Sequence, residues 1–207
     1  MKKNLVLIVS FLFIFALIIN GQTPDNNTSK LKTPIEVKNW FSLQKGVFVT
    51  NEEFITNDNK DYVVISAEGY SQKELFQLLL LGLNNFYTDI DKIVSKIEYD
   101  AITVNNYYTV KDEKATVIKV ITGDNVNYYY VLGWHERFSF KFKDGKLRID
   151  APQVIKIDLK DINGKKISTK LPDLGETVLF PHAEITILKG SLYKLINDTF
   201  NKTDNDW

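Results

Sequence analysis

The chain of 207 residues has no cysteine, one methionine and only two histidines. A disulfide framework, a thiolate zinc site and a cysteine nucleophile are therefore excluded. The chain also lacks an excess of charge: 26 basic residues stand against 26 acidic ones. Nucleic-acid binders carry a basic surplus, so the balance argues against nucleic acid as a partner. Catalytic punctuation is missing as well. There is no Gly-x-Ser-x-Gly elbow, no P-loop, no dinucleotide-binding glycine pattern and no His-Glu-x-x-His zinc motif. What the chain does have is apolar and aromatic content, 44% and 13% respectively. That is too much for a disordered chain and enough for a packed core.

The N-terminus reads as a targeting segment rather than as fold. Lys2 and Lys3 precede Leu5–Ile19, a 15-residue apolar run broken only by Ser10. A membrane-spanning helix needs about 20 apolar residues. The shorter run behind a basic start predicts a secretory signal peptide over residues 1–21, cut after Gly21, with an uncleaved anchor as the alternative. No cysteine follows to take a lipid. The expected location is the periplasm, the cell surface or the extracellular space. Loss of Lys2 and Lys3 leaves 24 basic against 26 acidic residues, a net charge of −2. Residues 22–34 are polar and bounded by prolines, which predicts a linker. Residues 35–207 are of a size for one domain. The part played by residues 35–61 is open.

Along that domain, Tyr62–Glu68 is rich in β-branched residues and predicts a strand, turned by Gly69-Tyr70. Ser71-Gln-Lys-Glu74 is a capping box that opens a helix to about Phe86. Leu75, Phe76, Leu78 to Leu81, Leu83 and Phe86 make that helix apolar nearly all round, so it must be covered on more than one side. Strands are predicted at Ile97–Val104, Tyr107–Val110, Ala115–Ile121 and Asn127–Leu132. A hairpin follows, Arg137–Lys143 and Lys146–Asp150, joined by Asp144-Gly145 as a type I′ turn. A second hairpin is predicted around Asn163-Gly164, after Val154–Leu159. A C-terminal helix is predicted over Ser191 to Asn201, since Gly190 is a possible break. The class is α+β: a meandering antiparallel sheet with one long apolar helix and a C-terminal helix packed on one face.

Three stretches carry a resemblance. They are Tyr62-Val-Val-Ile-Ser-Ala-Glu-Gly-Tyr-Ser-Gln-Lys-Glu-Leu-Phe76, the strand starting near Lys92-Ile-Val, and Phe138-Ser-Phe-Lys-Phe-Lys-Asp-Gly-Lys-Leu-Arg-Ile149. Over roughly residues 60–160 the pattern resembles a family of secreted bacterial proteins, a domain of unknown function with a TATA-binding-protein-like (TBP-like) fold. The shared features are a strand, a turn, a Ser-x-x-Glu-Leu helix start and a Lys-Asp-Gly hairpin. The resemblance implies that fold and an extracytoplasmic location. It implies no activity, because a fold does not fix function.

Candidate chemistry is sparse, and no cofactor or metal is expected. His135 sits in Trp134-His135-Glu136-Arg137, where a His-Glu pair is capable of metal or proton chemistry. No third ligand stands at a fixed spacing, and an edge-strand histidine is the plainer reading. His182 follows Pro181 as a turn residue. Acid pairs occur at Asp58/Asp61, Asp89/Asp91 and Asp204/Asp206. Asn57–Asp61 hints at a calcium loop but lacks the glycine at position six and the closing glutamate. It reads as a polar turn.

The strongest feature is a face. Residues 137–170 hold ten Lys or Arg against four Asp, a local +6. Alternation sends Phe138, Phe140, Phe142, Leu147 and Ile149 to one side, and Lys141, Lys143, Lys146 and Arg148 to the other. Lys156 and Lys160 join the basic side if Ile155, Ile157 and Leu159 face the core. Tyr128 and Tyr130 share one face of their strand, with Tyr129 on the opposite one and Tyr107 and Tyr108 nearby. Basic and tyrosine surfaces suit an envelope protein, an anionic glycan or a lipid headgroup. The bland reading is an ordinary solvated sheet. The expected role is a non-enzymatic binding module of the cell envelope. The alternatives are a small-ligand carrier, with a cavity between the leucine-rich helix and the sheet, and an enzyme whose carboxylates and His135 converge only in space.

Overall fold

The computed structural model describes residues 32–55, 61–111, 117–122, 124–170, 172–174 and 184–201. Residues 1–21, residues 22–31 of the expected linker, the 57–60 loop, His182, Asp204 and Asp206 lie outside them. Among the described residues no helix is long and apolar enough to cross a membrane.

In chain order the elements begin with a small hairpin, β1 (Phe41–Gln44) and β2 (Val47–Thr50). Next come β3 (Tyr62–Ser66), α1 (Gln72–Phe86) and a single helical turn, α2 (Ile90–Ile93). Six strands follow: β4 (Val94–Ile97), β5 (Ala101–Thr109), β6 (Val117–Thr122), β7 (Asn125–Lys143), β8 (Lys146–Asp150) and β9 (Gln153–Asp161). β10 (Lys166–Thr169) closes the sheet. A wide-turned π-type stretch, Ile185–Leu192, then runs into α3 (Tyr193–Phe200).

The sheet is antiparallel and is organised by β7. Its 19 residues span about 60 Å at ~3.3 Å per residue. Along one edge β5 and then β6 pair with it; along the other β8 and then β9 do. β4 flanks β5, β3 flanks β8 and β10 flanks β9. The two strands expected at Asn127–Leu132 and Arg137–Lys143 are thus one strand. The strands expected at Ile97–Val104 and Tyr107–Val110 are divided elsewhere. Ala101 and Tyr107 both lie on β5, while Ile97 ends β4 across a turn at Glu98–Asp100. Tyr99 takes a left-handed φ of 59° there, and its ring meets Phe76 at 5.5 Å, edge to face. A tertiary contact holds a turn that strand propensity alone does not announce.

The start of α1 is capped twice. Ser71 Oγ accepts from the Glu74 N–H at 3.2 Å, and Glu74 Oε2 accepts from the Ser71 N–H at 2.9 Å. Asp144, from the β7–β8 turn, accepts the Gln72 N–H at 2.7 Å. The Ser71 N–H and the Lys32 ammonium hold the Glu74 carboxyl down at about 2. The expected type I′ turn does not form. Gly145 alone has positive φ, 67°, and Asp144 does not. The Gly145 N–H donates to the Tyr70 carbonyl, and its own carbonyl accepts from Ala67. Docking against the helix entry selects the turn, rather than strand twist alone.

One face of α1 (Leu75, Phe76, Leu79 and Leu83) is buried. Phe76 meets Phe142 edge to face at 5.6 Å. On another side α1 touches α3, where a side chain at Gly82 would strike Thr199. Leu81 stays 57% exposed. Residues 35–50 belong to this core: Trp40 stacks edge-on with Tyr193 at 5.4 Å, and the Phe41 N–H donates to the Tyr193 hydroxyl. The C-terminal helical stretch begins before Ser191 and passes through Gly190 without a break. Ile187, Leu188 and Leu192 are buried there, and burial outweighs the glycine's low propensity.

Candidate functional site: the open face of the sheet

The inner face of β7 and β8 carries Phe138, Phe140, Phe142, Leu147 and Ile149, each at most 1% exposed. The opposite face is uncovered and presents Lys141, Lys143 and Lys146 as exposed residues and Arg148 as half-buried. Two irregularities reset which residues appear beside them. Between Val131 and Gly133 the pairing with β9 shifts by a residue. Val131 and Trp134 are therefore both buried, although their numbers differ in parity. The shift puts Tyr128 and Tyr130 on the open face with the odd-numbered lysines, and leaves Tyr129 half-buried against the core. Gly133 permits it, since a side chain there would run into the Tyr108 carbonyl and the Tyr107 ring. The second shift lies between His135 and Glu136, opposite Val154 and Lys156. Ile155 is the extra residue. Strict alternation would put it in the core with Ile157 and Leu159, but the bulge ejects it to 40% exposure while those two remain buried.

At the cationic end, β3, β7 and β8 enclose a depression of about 500 Å³ lined by Tyr62, Val64, Asp100, Lys141, Lys143, Lys146 and Arg148 among others. Arg148 is neutralised in place. Its Nε and Nη2 both lie 2.6 Å from Asp150 Oδ1, and its guanidinium sits 3.8 Å from the centre of the Tyr62 ring. Lys141, Lys143 and Lys146 have no carboxylate within ion-pair distance among the described residues. The open charge is therefore carried by three lysines, and Arg148 mainly shapes the wall. Tyr62 and Asp150 are the residues that sequence reasoning missed. They face each other across β3 and β8, a pairing 88 residues apart in the chain with no local signal.

At the other end Tyr128 is 49% exposed, and the Lys160 ammonium lies 5.7 Å from the Tyr130 ring. Between the ends lies a polar cluster. His135 Nε2 is 3.7 Å from Asp158 Oδ2, the Tyr107 and His135 rings are 4.6 Å apart, and Ser168 Oγ donates to Asp158 Oδ1 at 2.6 Å. Burial works to raise the pKa of Asp158, but the Ser168 hydroxyl, the Lys156 charge, Tyr107 and His135 outweigh it and hold it below the usual carboxylate range. The order of these groups matters chemically. A nucleophilic serine needs its proton bridged to the histidine. Here the hydroxyl is spent on the carboxylate.

Glu136 faces the other way. It is fully buried, with Asn106 Nδ2 donating at 2.9 Å and the Trp134 indole N–H at 3.2 Å. Burial pushes its pKa up despite those two donors. The buried Tyr87 hydroxyl is pushed up as well, by burial and then by the Glu136 charge. His135 and Glu136 thus occupy opposite faces of β7 and do not form the pair their adjacency suggested. Among the described residues no three His, Asp or Glu side chains converge as metal ligands. Asp89 is tied to Lys92 at 3.1 Å on the surface. The space between α1 and the sheet, where the carrier alternative places its cavity, is occupied by Leu75, Leu79, Leu83 and Phe142, all at most 1% exposed.

No family model matches the chain, and no curated protein does. A solved structure of a DUF4468 family protein from Bacteroides ovatus is similar to it, at 10% identity and a TM-score of 0.39, covering 88% of this chain and 98% of that one.

Proposed function

We propose that the chain is an exported, non-enzymatic binding module of the cell envelope, whose open sheet face takes an anionic group of a partner. The observation that carries the reading is the trio Lys141, Lys143 and Lys146. Three ammonium groups line one depression where Asp100 is the single acid among the described residues, and none of the three is neutralised by a described neighbour. Unpaired cations on an uncovered surface attract an anion at range and are screened by salt. Export is supported by the basic start and short apolar run of residues 1–21. Kinship with the secreted family of TBP-like domains of unknown function is supported by its two signature motifs meeting in space, Asp144 of the hairpin closing the helix entry at Gln72. Two features weigh against an enzyme built on His135: Glu136 lies across the sheet from it, and Ser168 is bonded to Asp158.

The test has two arms. Intact mass of the protein recovered from cells should start at Gln22; a retained Met1 in a membrane fraction sinks the cleavage and leaves the uncleaved anchor. Anionic envelope polysaccharide and anionic vesicles should each be offered to the protein and to a triple variant, Lys141→Glu, Lys143→Glu and Lys146→Glu. Binding that falls with salt and vanishes in the variant supports the reading, and the ligand that binds identifies the partner class. Binding indifferent to all three charges removes it.

A further inference from the structure

We propose that a cleft at the break between β8 and β9 is a binding site for a small organic acid, an apolar body carrying one carboxylate. The cleft lies beside the lysine depression and shares Tyr62 and Arg148 with it, but its chemistry differs. Its volume is about 560 Å³, within the ~300–1,000 Å³ typical of small-molecule sites.

The break has a local cause. Pro152 has no N–H for the ladder with β7, and Ala151 donates instead to the Asp61 carbonyl at 2.8 Å. One residue pair further on, the bulge ejects Ile155. The β1–β2 hairpin supplies the facing wall with Val47. Val47 and Ile155 are both exposed aliphatic side chains, at 51% and 40%, and both line this cleft. Two exposed aliphatics on facing walls, next to Pro152, make an apolar slot that water alone fills poorly.

The polar end of the slot is Arg137. Its Nε donates to Asn105 Oδ1 at 2.8 Å, across the β5–β7 register that pairs the two residues. That bond sets the plane of the guanidinium. Its two Nη groups have no acceptor among the described residues. Arg148, lining the same cleft, is the contrast, because Asp150 takes both its Nε and its Nη2. The charges of the lining are Arg137, Arg148 and Lys170 against Asp61 and Asp150, so one positive charge is left over. A guanidinium held flat with its fork free matches a carboxylate bidentately, and a single surplus charge matches a monoanion better than a phosphate dianion. The slot then takes the aliphatic or aromatic body. This assignment is independent of the lysine surface.

The probe is octanoate, with octanol as its uncharged counterpart, titrated into the purified full-length chain. The readouts are the Arg137 side-chain Nε–H resonance and the backbone amides of Asn105 and Ile155. Octanoate should bind saturably and shift all three, with octanol weaker by about tenfold or more. Arg137→Gln should weaken octanoate by about ten- to hundredfold and leave octanol unchanged. Arg137→Lys, which keeps the charge but loses the fork, and Asn105→Ala, which frees the guanidinium, should each fall between. The triple lysine variant should bind octanoate as the parent does. Equal affinity for acid and alcohol, an unchanged Arg137→Gln, absence of saturable binding, or loss of octanoate in the lysine variant each overturns the assignment. The last outcome would place the acid on the lysine surface instead, and so separates this site from the one proposed above. Amide spectra matching the parent establish that each variant is folded. If Arg137→Gln does not fold, the acid–alcohol comparison and Asn105→Ala decide.

Discussion

The two faces of β7 obey different rules. On the inner face Phe138, Phe140 and Phe142 follow strict alternation and disappear beneath α1. On the outer face Tyr128, Tyr130, His135, Lys141 and Lys143 share a surface only because a bulge at Gly133 reverses the alternation midway. The inner face is defined by what water rejects, and its pattern is readable from residue type. The outer face is defined by register, a property of pairs of strands. The difference teaches that stability and recognition are encoded in different terms along one strand.

The comparison can be broken most forcefully from the inside. Phe140→Ala should cost about 3–5 kcal/mol, because Phe140 is fully buried and pairs with Ile149 beneath the helix. Urea denaturation checks it, and a loss under about 1 kcal/mol would mean the inner face is not the core. Gly133→Ala comes next, at about 1–3 kcal/mol, since its methyl would collide with the Tyr108 carbonyl. Its amide shifts should concentrate in residues 128–132, where the alternation reverses. Undisturbed shifts there would detach the bulge from the placement of the tyrosines.

Glu136 sharpens the comparison, being the one charged residue on the inner side that is fully buried among those described. Its pKa is raised in the folded state, so the folded protein holds the proton more tightly than the unfolded chain does. Its contribution is therefore most favourable below the unfolded value. It declines as pH rises through the folded value, with a slope of at most about 1.4 kcal/mol per pH unit. Glu136→Gln should abolish that slope. Glu74 and Asp158 act in the opposite sense: their lowered pKa values give stability that is lost as pH falls through the acid range. The parent and the glutamine variant must therefore be compared pH by pH, by urea midpoint. Parallel curves would show that the burial of Glu136 carries no proton linkage. The smallest effect is expected outside. Lys143→Ala should change stability by no more than about 0.5 kcal/mol, and a larger loss would give the open face a part in folding.

Much of the fold was legible. Ser71 and Glu74 announced the start of α1 because a cap is a contact between residues three apart. Phe138 to Phe142 announced a strand and its buried side because alternation is also local. The hairpins at Asp144-Gly145 and Asn163-Gly164 were located by their glycines, whose φ values are 67° and 86°. The turn type at the first was not, because Tyr70, Ala67 and Gln72 decide it from outside the hairpin. The site was legible only in part. The lysines were visible as a local charge excess. The neutralisation of Arg148 by Asp150 under Tyr62 was not, and neither was the exposure of Ile155. Both arise from pairings between strands that lie far apart in the chain.

The sequence by itself determined the α+β class, the apolar side of each regular strand, the entry of α1 and a chain without thiol chemistry. Those properties rest on residue type and on contacts within a few positions, where solvation and backbone geometry leave few choices. Tertiary structure decided which side chains share the open face, that His135 and Glu136 are separated by the sheet, and that the Arg137 fork, which has no acceptor among the described residues, lines an apolar slot. Those properties follow from register. A shift of one residue between strands moves every later side chain to the other face, and the bonds that fix it join residues tens of positions apart.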